Sequence, residues 1–231
     1  MFTYFEKLKK YDDILVHAIT NKPYDVKNHN NLKILGEELK INYKDFVSTK
    51  QIHEAYVRDI DIEDKGEAYR EEKIECDGII TNKPNIPLLS YYADCVPLVF
   101  FDPKKKVIAT VHSGWKGTVK KIATEAIIKM QRDYHCNVED IIACIGPSIG
   151  SCCFEVGLTV KEEFVKIFGD SVVEGDKVDL HKANLIQFRE CGIKEKNIED
   201  LAICTVCSND KFYSYRSGDE DERFGVVIML R

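Results

Sequence analysis

The chain has 231 residues, 44% apolar and 31% charged, with a formal net charge of −6, a balance that supports a packed core and argues against disorder. The charge lies in small opposed clusters, residues 7–10 and 104–106 against 219–222, so no basic face for nucleic acid is expected. No apolar run approaches the ~18 residues of a membrane span and residues 1–10 lack the apolar centre of an export signal, so the expected protein is cytoplasmic and makes no membrane contact.

Residues 14–20, rich in branched side chains and ended by Asn21-Lys22-Pro23, predict a first strand. A polar stretch at 28–31 leads into Leu32, Leu35 and Leu39 at helical spacing. From 46 to 57 the pattern alternates, which places Gln51, His53 and Ala55 on one face of a strand. Residues 59–73 read as a charged surface loop, and 76–81 as a short strand. The run 87–101 is apolar except at Asp94-Cys95 and Pro97. Proline cannot donate to a sheet ladder, so a break is expected at Pro97, leaving the residues before it at a strand end.

Residues 107–112 form the next expected strand. After Gly114 and Gly117 the period changes to 3.6 through Val119, Ile122, Ala123, Ala126, Ile127 and Met130, with Thr118 as the expected N-cap. Residues 141–145 predict a strand that runs into Gly146-Pro147-Ser148-Ile149-Gly150. Helices follow at 158–168, closed by Gly169, and at 180–191, opened by Asp179 and closed by Gly192. Strands at 201–206 and 224–230 complete the chain. Strands and helices alternate with no linker, repeat or low-complexity segment, which argues a mixed α/β fold in one domain, 1–231.

Chemistry concentrates on His53, Cys95 and His112. A thiolate with two imidazoles suits Zn²⁺, and three protein ligands leave a fourth position for water or substrate. A metal there lowers the pKa of bound water to about 7. The same residues also read as a Cys95 nucleophile with His112 or His53 as base, or as a buried thiol beside two hydrogen-bonded histidines. The turns 114–117 and 146–150 let a backbone approach an anion, Lys116 adds charge to the first, and Trp115 offers a stacking face. Arg216, among Tyr213, Ser214 and Tyr215, presents a fork for phosphate or carboxylate. Nine cysteines lie mostly in apolar runs, so no disulfide framework is expected. Cys204-Thr-Val-Cys207 has no second pair and reads as packing thiols, and His17, His29, His135 and His181 require no role.

The motifs Gln51-Ile52-His53, Ala93-Asp94-Cys95-Val96-Pro97, Val111-His112-Ser113-Gly114-Trp115-Lys116-Gly117, Ile145-Gly146-Pro147-Ser148-Ile149 and Ser214-Tyr215-Arg216 resemble, in this order, the multicopper polyphenol oxidase (laccase) family. The family is also described as purine nucleoside phosphorylase LACC1-like or as peptidoglycan editing factors. The resemblance implies a four-layer α/β/β/α fold, similar to cytotoxic necrotizing factor catalytic domains, and one zinc held by His53, Cys95 and His112.

It also implies phosphorolysis of adenosine, inosine, guanosine and methylthioadenosine, with deamination of adenosine; some members resemble cell-wall precursor editors. On that reading Asp77 or Asp94 moves the proton. Phosphate is held by Lys116, Arg216 or a glycine-rich turn, and Gln51, Trp115, Lys116 and Gly146 contact the substrate. Small-molecule nucleosides and phosphate are the expected partners, in a monomer or homodimer. The loop before 33 is shorter than the family's, so a substrate contact from it is not carried over. Copper is not expected, because six histidines are too few for several copper centres.

Overall fold

Residues 96–102 and 107–113 are buried at every position, the pattern of strands covered on both faces. In a computed structural model, which describes residues 2–231, they are the centre of the molecule. The strands are β1 (Phe2–Thr3), β2 (Leu15–Thr20), β3 (Val57–Asp59), β4 (Gly78–Thr81), β5 (Leu88–Tyr92), β6 (Val96–Asp102), β7 (Val107–Ser113), β8 (Ile142–Ile145), β9 (Val173–Glu174), β10 (Lys177–Val178), β11 (Ile198–Asp200) and β12 (Phe224–Leu230). The helices are α1 (Glu6–Lys9), α2 (His29–Leu39), α3 (Trp115–Val119), α4 (Ile122–Tyr134), α5 (Leu158–Phe168) and α6 (Leu180–Glu190).

A six-stranded mixed sheet runs β11-β8-β6-β7-β4-β3, parallel at its two outer pairs and antiparallel within. A four-stranded antiparallel sheet runs β1-β2-β12-β5. Period-two alternation sends successive residues of a strand to opposite faces, and here it divides the apolar residues among three cores. Leu98, Phe100, Val107, Ala109 and Val111 pack with Ile122, Ala126, Phe164 and Phe188 of the helices α4, α5 and α6. Val99, Phe101 and Ile108 face Leu15, Ile19, Phe224, Val226 and Ile228 of the smaller sheet. The outer face of that sheet, Val16, Ala18, Val227 and Met229, carries Leu32, Leu35 and Leu39 of α2. The order is therefore helices, sheet, sheet, helix: a four-layer mixed α/β fold.

Four local expectations change. The apolar run 87–101 breaks at 93–95, not at Pro97, which lies inside β6. Its carbonyl accepts from the Gly146 N–H at 2.8 Å, on the β8 side and past the last β6–β8 pair, Leu98↔Ile145, so the missing N–H falls at the end of the ladder and not within it. Thr118 caps nothing; it sits inside α3, where its hydroxyl bonds the Gly114 carbonyl at 3.0 Å, and α4 starts from Lys121 in the left-handed region at φ 60°. Residues 201–206 are irregular apart from an isolated Ser148↔Cys204 bridge, because the strand there is β11, three residues earlier. His53 lies on a bend at φ 60°, not in a strand.

Candidate metal centre and cavity

Antiparallel pairing of β6 with β7 sets Pro97 opposite His112 and Val96 opposite Ser113. Cys95, just before β6, is thereby brought beside the end of β7. Asp77 precedes β4, whose pairing sets Gly78 opposite Val111, so its carbonyl meets the His112 N–H at 2.6 Å. The Asp77 carboxylate then does two further things. Oδ1 bonds His112 Nδ1 at 2.9 Å, and the two oxygens accept the N–H groups of Ile52, His53 and Glu54 at 3.2, 2.9 and 2.8 Å. Those three bonds curl the backbone so that His53 turns towards His112, with ring centroids 4.9 Å apart at 83°.

The donor atoms of His53, Cys95 and His112 all lie within 4.8 Å of one another. A Cβ on Gly114 would stand 3.0 Å from Cys95 Sγ, 3.1 Å from His53 Cδ2 and 3.6 Å from His112 Cε1, so the space between the three is kept open by a missing side chain. Burial pushes the Cys95 thiol up, but charged His112 beside it, with hydrogen bonds from both histidines, overrides burial and brings it down to about 6. For His112 burial acts downward, and Cys95 together with Asp77 raises it to about 9. Burial would raise Asp77 as well, yet His112 and the N–H groups of Glu54 and His53 hold it below the usual carboxylate range. A thiolate and two imidazoles with a carboxylate behind one of them is a donor set that fits Zn²⁺.

A cavity of about 830 Å³ opens onto this cluster, with His53, Cys95 and His112 in its wall. Gln51, Asp94 and Arg216 also line it. Asp94 stands at φ 85°, its Oδ1 accepting the Thr205 hydroxyl at 2.6 Å and its Oδ2 the Arg216 N–H at 2.7 Å. The Arg216 guanidinium reaches the carbonyls of Cys153 and Glu155, both at 3.3 Å, and lies 5.9 Å over the Phe154 ring. Asp77 lies behind His112 and is 2% exposed; it is not among the lining residues.

Trp115, Lys116 and Gly146 are not among them either. Trp115 packs against the helical core, Lys116 sits 5.6 Å over the Trp115 ring, and a side chain on Gly146 would meet Pro97. The glycines here serve close packing. Other residues form the wall of the cavity.

Those residues were not singled out in the sequence. Lys27 and His29, in and beside the shortened loop, line the cavity with Lys50, Lys73, Tyr91, Phe154 and Arg223. They come from the start of α2, the end of β5 and separate loops, and carry no common spacing; Lys27 and His29, before and at the start of an amphipathic helix, are the one signal in the sequence. Burial holds the Lys73 ammonium below its ordinary value.

The family model described as multi-copper polyphenol oxidoreductase laccase matches residues 15–231. The chain belongs to this laccase family. It is 40% identical over 154 residues to the purine nucleoside phosphorylase LACC1 of Mus musculus, across 63% of this chain and 36% of that protein; it thus spans about a third of the mammalian relative's length. A purine nucleoside phosphorylase of Clostridium acetobutylicum is 37% identical over 179 residues, 76% of this chain and 72% of its own. The adenosine deaminase RL5, from an unknown prokaryotic organism, is 32% identical across 79% of this chain and 73% of its own. Among solved structures, the hypothetical protein YfiH of Bacillus licheniformis superimposes with a TM-score of 0.91 at 27% identity, covering 100% of this chain and 96% of that one. No helix among the described residues of this laccase-family chain is long and apolar enough to cross a membrane.

Proposed function

We propose that this laccase-family chain is a zinc-dependent purine nucleoside enzyme. It phosphorolyses adenosine, inosine, guanosine and methylthioadenosine, and deaminates adenosine to inosine. The observation that carries the reading is the cavity of about 830 Å³ that meets the His53, Cys95 and His112 cluster and is lined by Lys27, Lys50, Lys73, Arg216 and Arg223. Its volume suits a small-molecule ligand, and its cations suit a phosphate. Relatives named purine nucleoside phosphorylase and adenosine deaminase point the same way. Among the described residues, two of the six histidines lie in the clusters able to hold a metal, which favours zinc over several copper centres.

When bound, the metal supplies Lewis-acid polarisation and a water of lowered pKa. The protein's own groups do the rest. Asp77 fixes the His112 tautomer and the bend that carries His53. Arg216, held at its N–H by Asp94 and at its guanidinium by two carbonyls, offers its remaining guanidinium N–H groups to a phosphate that attacks the ribose C1′. Phe154, Ile149 and Tyr91 offer apolar faces for the base. Asp94 lines the cavity and Asp77 does not, which favours Asp94 for moving the proton at the leaving or attacked atom.

Incubation with adenosine, with and without phosphate, tests the assignment: adenine formed only with phosphate reports phosphorolysis, and inosine reports deamination. His112→Ala is expected to abolish both, with loss of the zinc. Neither product, with cleavage of a muramyl precursor instead, would move the assignment to cell-wall editing.

A second reading is favoured by the same geometry, a Cys95 thiol whose Sγ lies within 4.8 Å of the His112 ring nitrogen, with Asp77 bonded to His112 Nδ1 at 2.9 Å as the orienting third group. Chelation separates the two. Zinc chemistry is lost on metal removal and restored by zinc; a thiol dyad keeps its turnover without metal and is inactivated by alkylation of Cys95.

A further inference from the structure

Four cysteines outside that centre converge at the surface. Cys152 and Cys153 lie on the turn after Gly150, and Cys204 and Cys207 on the turn after β11, and their sulfurs all fall within 4.8 Å of one another. This pairing overturns the sequence expectation that the Cys204 to Cys207 motif has no second pair and serves as packing. Cys152 and Cys207 are exposed and Cys153 and Cys204 half-buried, a poor place for hydrophobic thiols.

We propose that Cys152, Cys153, Cys204 and Cys207 are a second metal site, a tetrathiolate centre for zinc that braces the wall of the cavity. Tetrahedral zinc with bonds of about 2.3 Å holds its sulfurs about 3.8 Å apart. Here Cys207 Sγ lies 3.7 Å from Cys152 Sγ and 3.6 Å from Cys153 Sγ. A disulfide needs about 2.05 Å, and all four thiols are free.

The surroundings are arranged for thiolates. The Gly150 N–H donates to Cys204 Sγ at 3.3 Å, the kind of backbone bond that a metal-bound thiolate accepts. Any Cβ on Gly150 would stand 3.2 Å from Cys152 Sγ and 3.1 Å from Cys204 Cβ, so the close backbone approach requires glycine. Four thiolates on Zn²⁺ leave a net charge of −2 as four protons depart, and two cations attend them. Lys177 Nζ donates to the Cys152 carbonyl at 2.9 Å and Arg216 to that of Cys153 at 3.3 Å.

The site joins two loops that the cavity depends on. One carries Ile149 and Phe154, which line it; the other carries Thr205, whose hydroxyl holds Asp94. Backbone bonds already link them, Ser148 N–H to the Ile203 carbonyl at 3.1 Å and Thr205 N–H to the Ser148 carbonyl at 2.9 Å. The metal completes that joint at the solvent side.

Metal content of protein purified under reducing conditions tests this. The expected result is about two zinc ions per chain in the wild type, halved in Cys204→Ser/Cys207→Ser and halved separately in His53→Ala/His112→Ala. Because the cysteine variant can misfold, zinc X-ray absorption on the wild type provides the second measurement. Both sites filled give five sulfur and two nitrogen ligands over two zincs, and the cysteine site alone gives four sulfurs on one zinc. One zinc per chain with one sulfur and two nitrogens overturns the proposal, as does a metal-free cluster whose mass shows disulfides. A single all-sulfur zinc retains this site while removing metal from the first, so the two readings fail separately.

Discussion

Asp77 shows how one buried carboxylate can shape a site from behind the residues that line it. It orients His112 through Nδ1 and sets the bend that carries His53. Asp77→Asn keeps the shape but removes the charge, and a carboxylate behind a ligating histidine typically accounts for 10- to 100-fold in metal affinity. We expect a weakening of about that size at the His53 centre, measured by competition with a chromophoric chelator; unchanged affinity would assign Asp77 to folding alone. His17 makes a different statement. Burial lowers it to about 4, where it accepts the Phe5 N–H through Nε2 at 3.1 Å. A folded pKa below the unfolded one means that the unfolded chain takes up the proton first, so stability is complete above about pH 6.5 and falls as pH drops towards 4. The loss is about 3 kcal/mol over that window. His17→Gln keeps an acceptor but cannot titrate, and urea melts at pH 7 and 5 are expected to show a smaller pH dependence in the variant.

At the scale of elements, the loops around the cavity are pinned by buried polar groups. Ser148 Oγ meets His181 Nε2 at 2.6 Å, and His181 Nδ1 meets Asp200 at 2.7 Å, joining the 146–150 turn to α6 and the end of β11. Ser148 is fully buried and His181 is 9% exposed, so this chain of three fixes position and is closed to substrate. Ser148→Ala leaves the imidazole without its partner and is expected to cost about 1–3 kcal/mol, read as a lower urea midpoint. The elements themselves were largely legible. The continuous apolar runs made β6 and β7 plain, and with them Cys95 and His112, because a doubly covered strand has no polar face to confuse the period. His53 was named as a ligand but placed in a strand, since the alternation around it is imposed on a bend that only the Asp77 contacts create. Trp115 offers a stacking face in the sequence because a glycine-rich turn signals close approach, and sequence does not say that the approach is to the chain's own core. The cysteine cluster was invisible, as its halves lie more than 50 residues apart on irregular loops with no period.

For the whole molecule, the larger sheet is shared by two cores. Phe100 points to the helices and Phe101 to the smaller sheet, and both are fully buried. Phe100→Ala and Phe101→Ala are each expected to destabilise by about 3–5 kcal/mol. If the layers form one cooperative unit, each variant shifts a single transition seen alike by fluorescence and far-UV circular dichroism; separate transitions would show that the layers melt independently.

The position of β12 between β2 and β5 bears on synthesis. During translation the larger sheet can assemble once residue 200 has emerged, but the smaller one has a gap at its centre until residues 224–230 arrive. Until then Val99, Phe101 and Ile108 lack the β12 part of their cover, and β2 and β5 present open edges of the kind that seek other chains. A nascent chain stalled before Phe224 is thus the species most exposed to aggregation and to chaperone capture, and closing the inter-sheet core and forming the cavity are late events that follow insertion of β12.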